Sequence, residues 1–349
     1  MPDSLGQLLA LESLTLSYCK ELVALPSTLG QLSALESLAL SDCDKLSSLP
    51  STLGQLSALE SLTLSDCPEI RALPSTLGQL SALKSLTLSY CYELRVLPRT
   101  LGQLKALQRL ELVWCRRLIA LPENLGELSA LESLTVSDCY GLRALPSTLG
   151  QLKALQRLRV EWCSNLIALT ETLGQLDGLQ HLLILGCSHL KSLPDAWDKF
   201  QALIHLEIVG CHDLNALPPT LVELQALQHF EVESNHSHSL KPLQDIIGKL
   251  QRLQHLTIFT SEELRTVEES FGQLDALKHL KIWIGKSADD RVGKEELHSR
   301  AYFEILPCRN EDDLYVRENI EQARKNFFTR RQKHEVQVRH HNILLSMFK

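Results

Sequence analysis

Long apolar runs are missing from this 349-residue chain: none approaches the ~18 residues of a membrane helix, so no membrane span is expected. The opening Met1-Pro2-Asp3-Ser4-Leu5-Gly6 lacks a basic and apolar leader, so no secretory signal is expected either. An excess of positive charge is missing too. The formal net charge is −7, whereas a general nucleic-acid binder would show a basic stripe. Three catalytic signatures are absent: a Gly-x-x-x-x-Gly-Lys-Ser/Thr phosphate loop, a Gly-x-Ser-x-Gly elbow and a His-Glu-x-x-His zinc pair. No enzyme, cofactor or nucleic-acid partner is therefore expected. The charge is also uneven. Residues 286–349 hold 13 Lys+Arg against 11 Asp+Glu, which leaves 22 against 31 for residues 1–285. The acidic excess lies in the long first part, and the tail is mildly basic.

What the chain does have is a period. Cys19, Cys43, Cys67, Cys91, Cys115, Cys139, Cys163, Cys187 and Cys211 fall 24 residues apart. Around each runs L-x-x-L-x-L-x-x-C-x-x-L-x-x-L-P-x-x-L-G-x-L, as in Leu59-Glu60-Ser61-Leu62-Thr63-Leu64-Ser65-Asp66-Cys67. This is a leucine-rich repeat, and it predicts an α/β solenoid in which each turn contacts only its neighbours. The expected shape is a curved horseshoe. Parallel strands line its concave face, and short helical or 3-10 turns its convex face. Strand segments open at Leu11, Leu35, Leu59, Leu83, Leu107, Leu131, Leu155, Leu179, Leu203 and Leu227, then at Leu253 and Leu277, which makes twelve. The polar insertion Asn235–Leu240 should bulge without breaking the stack.

Each turn divides its labour. In β-type alternation Leu134 and Val136 point inward while Ser133, Thr135 and Ser137 point outward. Leu145-Pro146 ends the extended segment because proline supplies no N–H. Ser147 or Thr148 is then expected to cap a short helical turn. Gly30, Gly54, Gly78 and Gly102 should allow close approach of successive turns. Thr170 stands where other turns have proline, which predicts a looser turn there. The ladder cysteines are read as small buried hydrophobes and free thiols, which places the chain in a reducing compartment. Burial at that position would also forbid a glycan on the Asn235 sequon.

The solenoid is expected over residues 1–285. Residues 286–349 form a non-repeat extension, read as a helix from Asn310 packed over the last repeat, with a basic end around Lys325. At the other end Met1-Pro2 begins in mid-repeat. Leu5, Leu8, Leu11, Leu14 and Leu16 would then face water unless a missing N-terminal domain or a partner covers that edge.

The run Leu-Pro-Ser-Thr-Leu-Gly-Gln-Leu-Ser-Ala-Leu-Glu-Ser-Leu-Thr-Leu-Ser-Asp-Cys resembles the repeats of plant intracellular disease-resistance proteins of the nucleotide-binding type. The resemblance covers residues 1–285. It implies defence signalling and a cytoplasmic setting, with the nucleus as the alternative, and it covers only the repeat array of such a receptor. Plant receptor kinases with extracellular repeats typically show Gly-x-Ile-Pro where this chain reads Leu-Pro. Leucine-rich-repeat scaffolds for a small GTPase or phosphatase are similar as well, and a fragment of a larger receptor fits equally. Bacterial ubiquitin-ligase effectors join such repeats to a catalytic cysteine. Here only Cys308 lies off the ladder, in an extension too short for that domain.

Partner choice should be written where the outward columns vary. The first reads Ser13, Ser37, Ser61, Ser85, Arg109, Ser133, Arg157, His181, His205, His229, His255, His279. The two beside it turn from Thr and Ser to Glu111, Val113, Arg159, Glu161, Glu207, Glu231, Glu233, Phe259 and Trp283. Lys105-Ala106-Leu107-Gln108-Arg109 recurs as Lys153-Ala154-Leu155-Gln156-Arg157, a duplicated two-repeat block. Arg109, Glu111 and Trp114 thus return as Arg157, Arg159, Glu161 and Trp162. Arg and Trp are enriched in binding hot spots, so these residues, the histidine row and Trp283 are the candidate surface for a protein partner. A duplicated, solvated pair with the tryptophans covering strand ends is the plainer alternative. The five aligned histidines invite comparison with a metal site or a pH-sensitive row. No carboxylate or cysteine completes a tetrahedral set in that column, so no metal is expected.

Overall fold

The computed structural model describes residues 2–234, 240–260, 274–284 and 303–307. One parallel sheet runs the length of the molecule in strict chain order. Its early strands are β1 (Ser13–Ser17), β2 (Ser37–Ser41), β3 (Ser61–Ser65), β4 (Ser85–Ser89), β5 (Arg109–Val113) and β6 (Ser133–Ser137). β7 (Arg157–Glu161), β8 (His181–Leu185), β9 (His205–Val209), β10 (His229–Ser234), β11 (His255–Thr260) and β12 (His279–Ile284) follow. All twelve expected strands are present. A thirteenth, β13 (Phe303–Pro307), pairs parallel with β12, so the sheet continues past Gly285 where the leucine period ends.

The strands start two residues after the expected opening leucine. That leucine still belongs to the preceding turn, since Leu35 N–H donates to Leu32 O at 3.1 Å and Leu59 N–H to Leu56 O at 3.1 Å. Within each strand burial alternates as predicted. Leu38 and Leu40 are buried while Ser37, Ala39 and Ser41 are partly exposed. The register across the insertion is kept, with His229 opposite His255, although residues 235–239 themselves are outside the described residues. A short helix α1 (Leu240–Ile247) replaces the 3-10 turn there, and its Leu243, Ile246 and Ile247 enter the core.

The convex turns hold a correction. Apart from α1, the described turns are 3-10 segments such as Ser147–Gln151, which Pro146 precedes with no side-chain cap. The threonine does not cap. It straps one turn to the previous one: Thr52 Oγ1 donates to Ser27 O at 2.7 Å and Thr100 Oγ1 to Ser75 O at 2.6 Å, and Thr148 Oγ1 donates to Glu123 O. Thr170 is not looser either. It takes φ −71 and ψ 140, close to the φ −65 and ψ 145 of Pro146, and its hydroxyl accepts from Thr172 N–H at 3.4 Å. A proline at that site has no side-chain acceptor to do the same.

Close approach explains Gly54. A Cβ there would lie 2.5 Å from Thr76 O and 2.8 Å from Thr76 Cβ. Cys43 through Cys211 are buried, Cys19 is part-exposed in the first turn, and all nine thiols are free. Cys139 Sγ lies 3.6 Å from Leu112 O one turn back and 3.5 Å from Ser137 O. Burial pushes the Cys67, Cys91 and Cys187 thiols up to about 12. In the first turn Leu5, Leu11, Leu14 and Leu16 are only partly buried, and Leu8 is 52% exposed. The helix expected from Asn310, Cys308 and the basic end lie outside the described residues.

Candidate functional site

Alternation delivers three outward columns to the strand face, and their chemistry changes at β5. Before it, the columns carry small, mostly hydroxyl side chains, and in the third column they pair: Ser41 Oγ donates to Ser17 Oγ at 2.9 Å and Ser89 Oγ to Ser65 Oγ at 3.1 Å. From β5 onward the columns carry charge. Register places Arg109 beside Ser133 and Ser133 beside Arg157, so the two arginines stem from backbones two strands apart, about 10 Å. Both are exposed. Arg159 is held within its own strand by Glu161 at 2.6 Å, with Glu161 only 14% exposed. Glu111 is part-exposed on β5.

The tryptophans of the duplicated block are not on the sheet face. Trp114 has φ 56 and Trp162 φ 53, left-handed backbone that turns the chain out of the strand. The residue before every ladder cysteine from Tyr18 to Trp162 does the same, and glycine takes over at Gly186 and Gly210. Each turn-out is anchored forward, as Trp114 N–H donates to Ser137 O at 2.9 Å. Trp162, 43% exposed, lies across Gly186, where an added Cβ would meet Cε3 at 2.4 Å. Both therefore sit on the rim at strand ends.

The histidine row is a stack. Ring centroids are 5.6 Å apart for His181–His205 and 5.2 Å for His205–His229, then 4.1 Å for His229–His255 and 4.2 Å for His255–His279. The last three pairs are near-parallel. His205 Nε2 is 2.6 Å from Glu207 Oε1. Face-to-face rings keep their nitrogens side by side, and among the described residues no group of three or more His, Cys, Asp or Glu could hold a metal ion. Burial first, and repulsion from neighbouring imidazoles second, lowers the His181 and His229 pKa values and brings His255 to about 4. Trp283 stands opposite Phe259 in the pairing of β11 and β12, and Phe259 is buried. Sequence reasoning put Phe259 in an outward column; the structure places it out of solvent.

One cluster was missed. On the rim beyond β4, β5 and β6, the Arg116 guanidinium sits over Trp114 at 4.7 Å, Tyr92 at 5.1 Å and Tyr140 at 5.8 Å from the ring centroids. Tyr90 stacks on Trp114 at 5.9 Å, and Tyr140 O–H donates to Asp138 Oδ1 at 3.1 Å. The signal lay in the two positions flanking the ladder cysteine, Tyr90 and Trp114 before it and Tyr92, Arg116 and Tyr140 after it. Reading only the strand columns passed over them.

A family described as a leucine-rich repeat region matches residues 170–306. The leucine-rich-repeat domain of the type III effector XopL is 28% identical with a TM-score of 0.59, covering 66% of this chain and 78% of that one. A TDR receptor is 21% identical with a TM-score of 0.52 over 81% of this chain. This chain spans about half, 49%, of that receptor's length, and the likeness shows the fold alone. No curated protein matches the chain.

The molecule is a leucine-rich-repeat solenoid.

A leucine-rich-repeat solenoid is typically a non-enzymatic protein-binding module. No helix among the described residues is long and apolar enough to cross a membrane. Of the predicted residues, the structure brings Arg157, Arg159 and Glu161 together on β7 and stacks the five histidines. It separates Trp114 and Trp162 from them, onto the rim.

Proposed function

We propose that the chain is a non-enzymatic recognition module that binds a protein partner through the strand face from β5 onward and its rim. One observation carries this reading. The outward columns change from near-uniform Ser and Thr to exposed Arg109, Arg157 and Arg159, then to an imidazole stack, on a scaffold that otherwise repeats itself. A face of twelve strands is roughly 55 Å long, the span of a protein partner and far larger than a metabolite. The setting in plant-type defence rests on the repeat's resemblance to intracellular resistance receptors. The reducing compartment rests on nine buried or part-buried thiols that are free.

A photo-crosslinking amino acid placed at Arg157, at Ser61 and at Gln151 tests the reading. The expected result is a discrete protein adduct from the Arg157 position and none from the hydroxyl face or the convex turn. Adducts concentrated at Gln151 would move recognition to the convex side.

A further inference from the structure

Arg116 is exposed, yet three aromatic rings from successive turns hold it in place. A guanidinium has five N–H donors in a planar fork. Among the described residues no ion pair or hydrogen bond takes them up. Its neighbour Arg117 differs: Glu93 lies 2.5 Å from it. Lys105 and Lys153 are likewise met by Glu127 at 3.4 Å and Asp177 at 3.2 Å. Arg116 is thus oriented by π faces, while its own hydrogen-bonding edge is unspent.

Orientation without a hydrogen-bond partner is what a preorganised anion receptor needs. The rings fix the side chain, so little rotamer freedom remains to be lost when an acceptor arrives. A planar fork matches a carboxylate in bidentate geometry. Arg117 beside it is already paired with Glu93, which leaves one cation for the ligand and suits a single negative charge better than a phosphate dianion. Tyr90, Tyr92 and Trp114 add part-exposed apolar area on either side.

We propose that the rim cage of Tyr92, Trp114 and Tyr140 presents Arg116 as the receptor for one Asp or Glu side chain of a partner peptide, with apolar residues flanking that acid. The proposal rests on the protein-recognition reading above and names the chemistry of the partner at one point.

The test uses the full chain labelled with 5-fluorotryptophan. Its four tryptophans give separate fluorine signals, and Trp114 is assigned through Trp114→Phe. The probe is a capped pentapeptide, Gly-Leu-Glu-Leu-Gly, with its Gln counterpart as control. The Trp114 signal should shift and saturate with the Glu peptide, and at least ~10-fold more weakly with the Gln peptide, a loss of one charge-assisted pair. Arg116→Gln should abolish the shift, Arg116→Lys should fall between, and Arg117→Gln should leave it. Equal response to both peptides, survival of the shift in Arg116→Gln, or tighter saturation by inorganic phosphate would each overturn the proposal. Shifts confined to Trp162 or Trp283 would overturn it too, while leaving the strand-face reading to stand on its crosslinks.

Discussion

Thr76 donates its hydroxyl to the backbone carbonyl of Ser51, one turn back, at 2.6 Å, and Thr76's own carbonyl and Cβ wall in Gly54. One residue thus does two jobs between turns, and the two can be separated by mutation. Thr76→Val removes the bond but keeps the shape. Its Ser51 acceptor is solvent-accessible, so the cost should be about 0.5–1.5 kcal/mol. Gly54→Ala puts a methyl 2.5 Å from Thr76 O and should cost more, about 1–3 kcal/mol, through displaced backbone. Urea midpoints of the two single variants give the ranking. A cheaper Gly54→Ala would mean that successive turns can slide apart.

The thiol ladder predicts a pattern of reactivity. Thiolate is the reactive form, and burial holds Cys67, Cys91 and Cys187 near 12, so at pH 8 only about one in ten thousand of those groups is ionised. Cys19, part-exposed in the first turn, should label first, and Cys43 to Cys211 should follow only as the solenoid opens. Replacing Cys139 with Lys should cost several kcal/mol, because an unpaired charge enters a fully buried site. Mass-resolved labelling of native protein decides this. Fast, simultaneous labelling of all ladder cysteines would contradict the packing.

Acid should weaken the C-terminal half. His181, His229 and His255 have folded pKa values below the ordinary 6.5, with His255 near 4. As pH falls through 6.5 the unfolded chain takes up protons that the folded chain refuses, so stability present above 6.5 is lost down to about 4. Each tenfold loss of proton affinity on folding is worth about 1.4 kcal/mol, and partial exposure of the row reduces the sum to about 1–3 kcal/mol. Arg157 and Lys278 add to the repulsion, and Glu207 opposes it. The double variant His229→Gln/His255→Gln should flatten the melting temperature between pH 7 and 4. An unchanged acid limb would assign the loss to carboxylates.

The period made most of this fold legible. A residue type recurring every 24 positions fixes which side chains face inward, and Leu134, Val136 and Cys139 are buried as their frame positions require. What the period could not convey was direction outside the strand. Trp114 reads as part of one surface with Arg109 and Glu111, yet its left-handed backbone swings it to the rim beside Tyr90 and Arg116, at the strand end. Thr148 reads as a helix cap, because capping is a local rule. Its actual acceptor, Glu123 O, lies a whole turn away in sequence. The histidine row was visible as a column, but its stacking needed ring orientations. Nor does a column reveal burial, which contributes more than imidazole repulsion to the lowered pKa values.

The binding surface yields the last prediction. Arg109 and Arg157 are exposed on the strand face two strands apart, and Arg159 stands beside Arg157's column, tied to Glu161. Reversing Arg157 and Arg159 to Glu inverts the local field where a partner meets charge. It should weaken binding of the partner identified by crosslinking by about 10–100-fold. Folding should hardly notice. The double variant gives up one ion pair in which Arg159 is 47% exposed and sets a new carboxylate near Glu161, a cost of about 1 kcal/mol at most. Ser37→Ala, Ser61→Ala and Ser85→Ala should leave affinity within about twofold, because those hydroxyls sit on the uniform part of the face. Titration calorimetry with melting curves on the same samples separates the two effects. Affinity that survives the double reversal but falls with the serine variants would place recognition on β2–β4, opposite to the expectation.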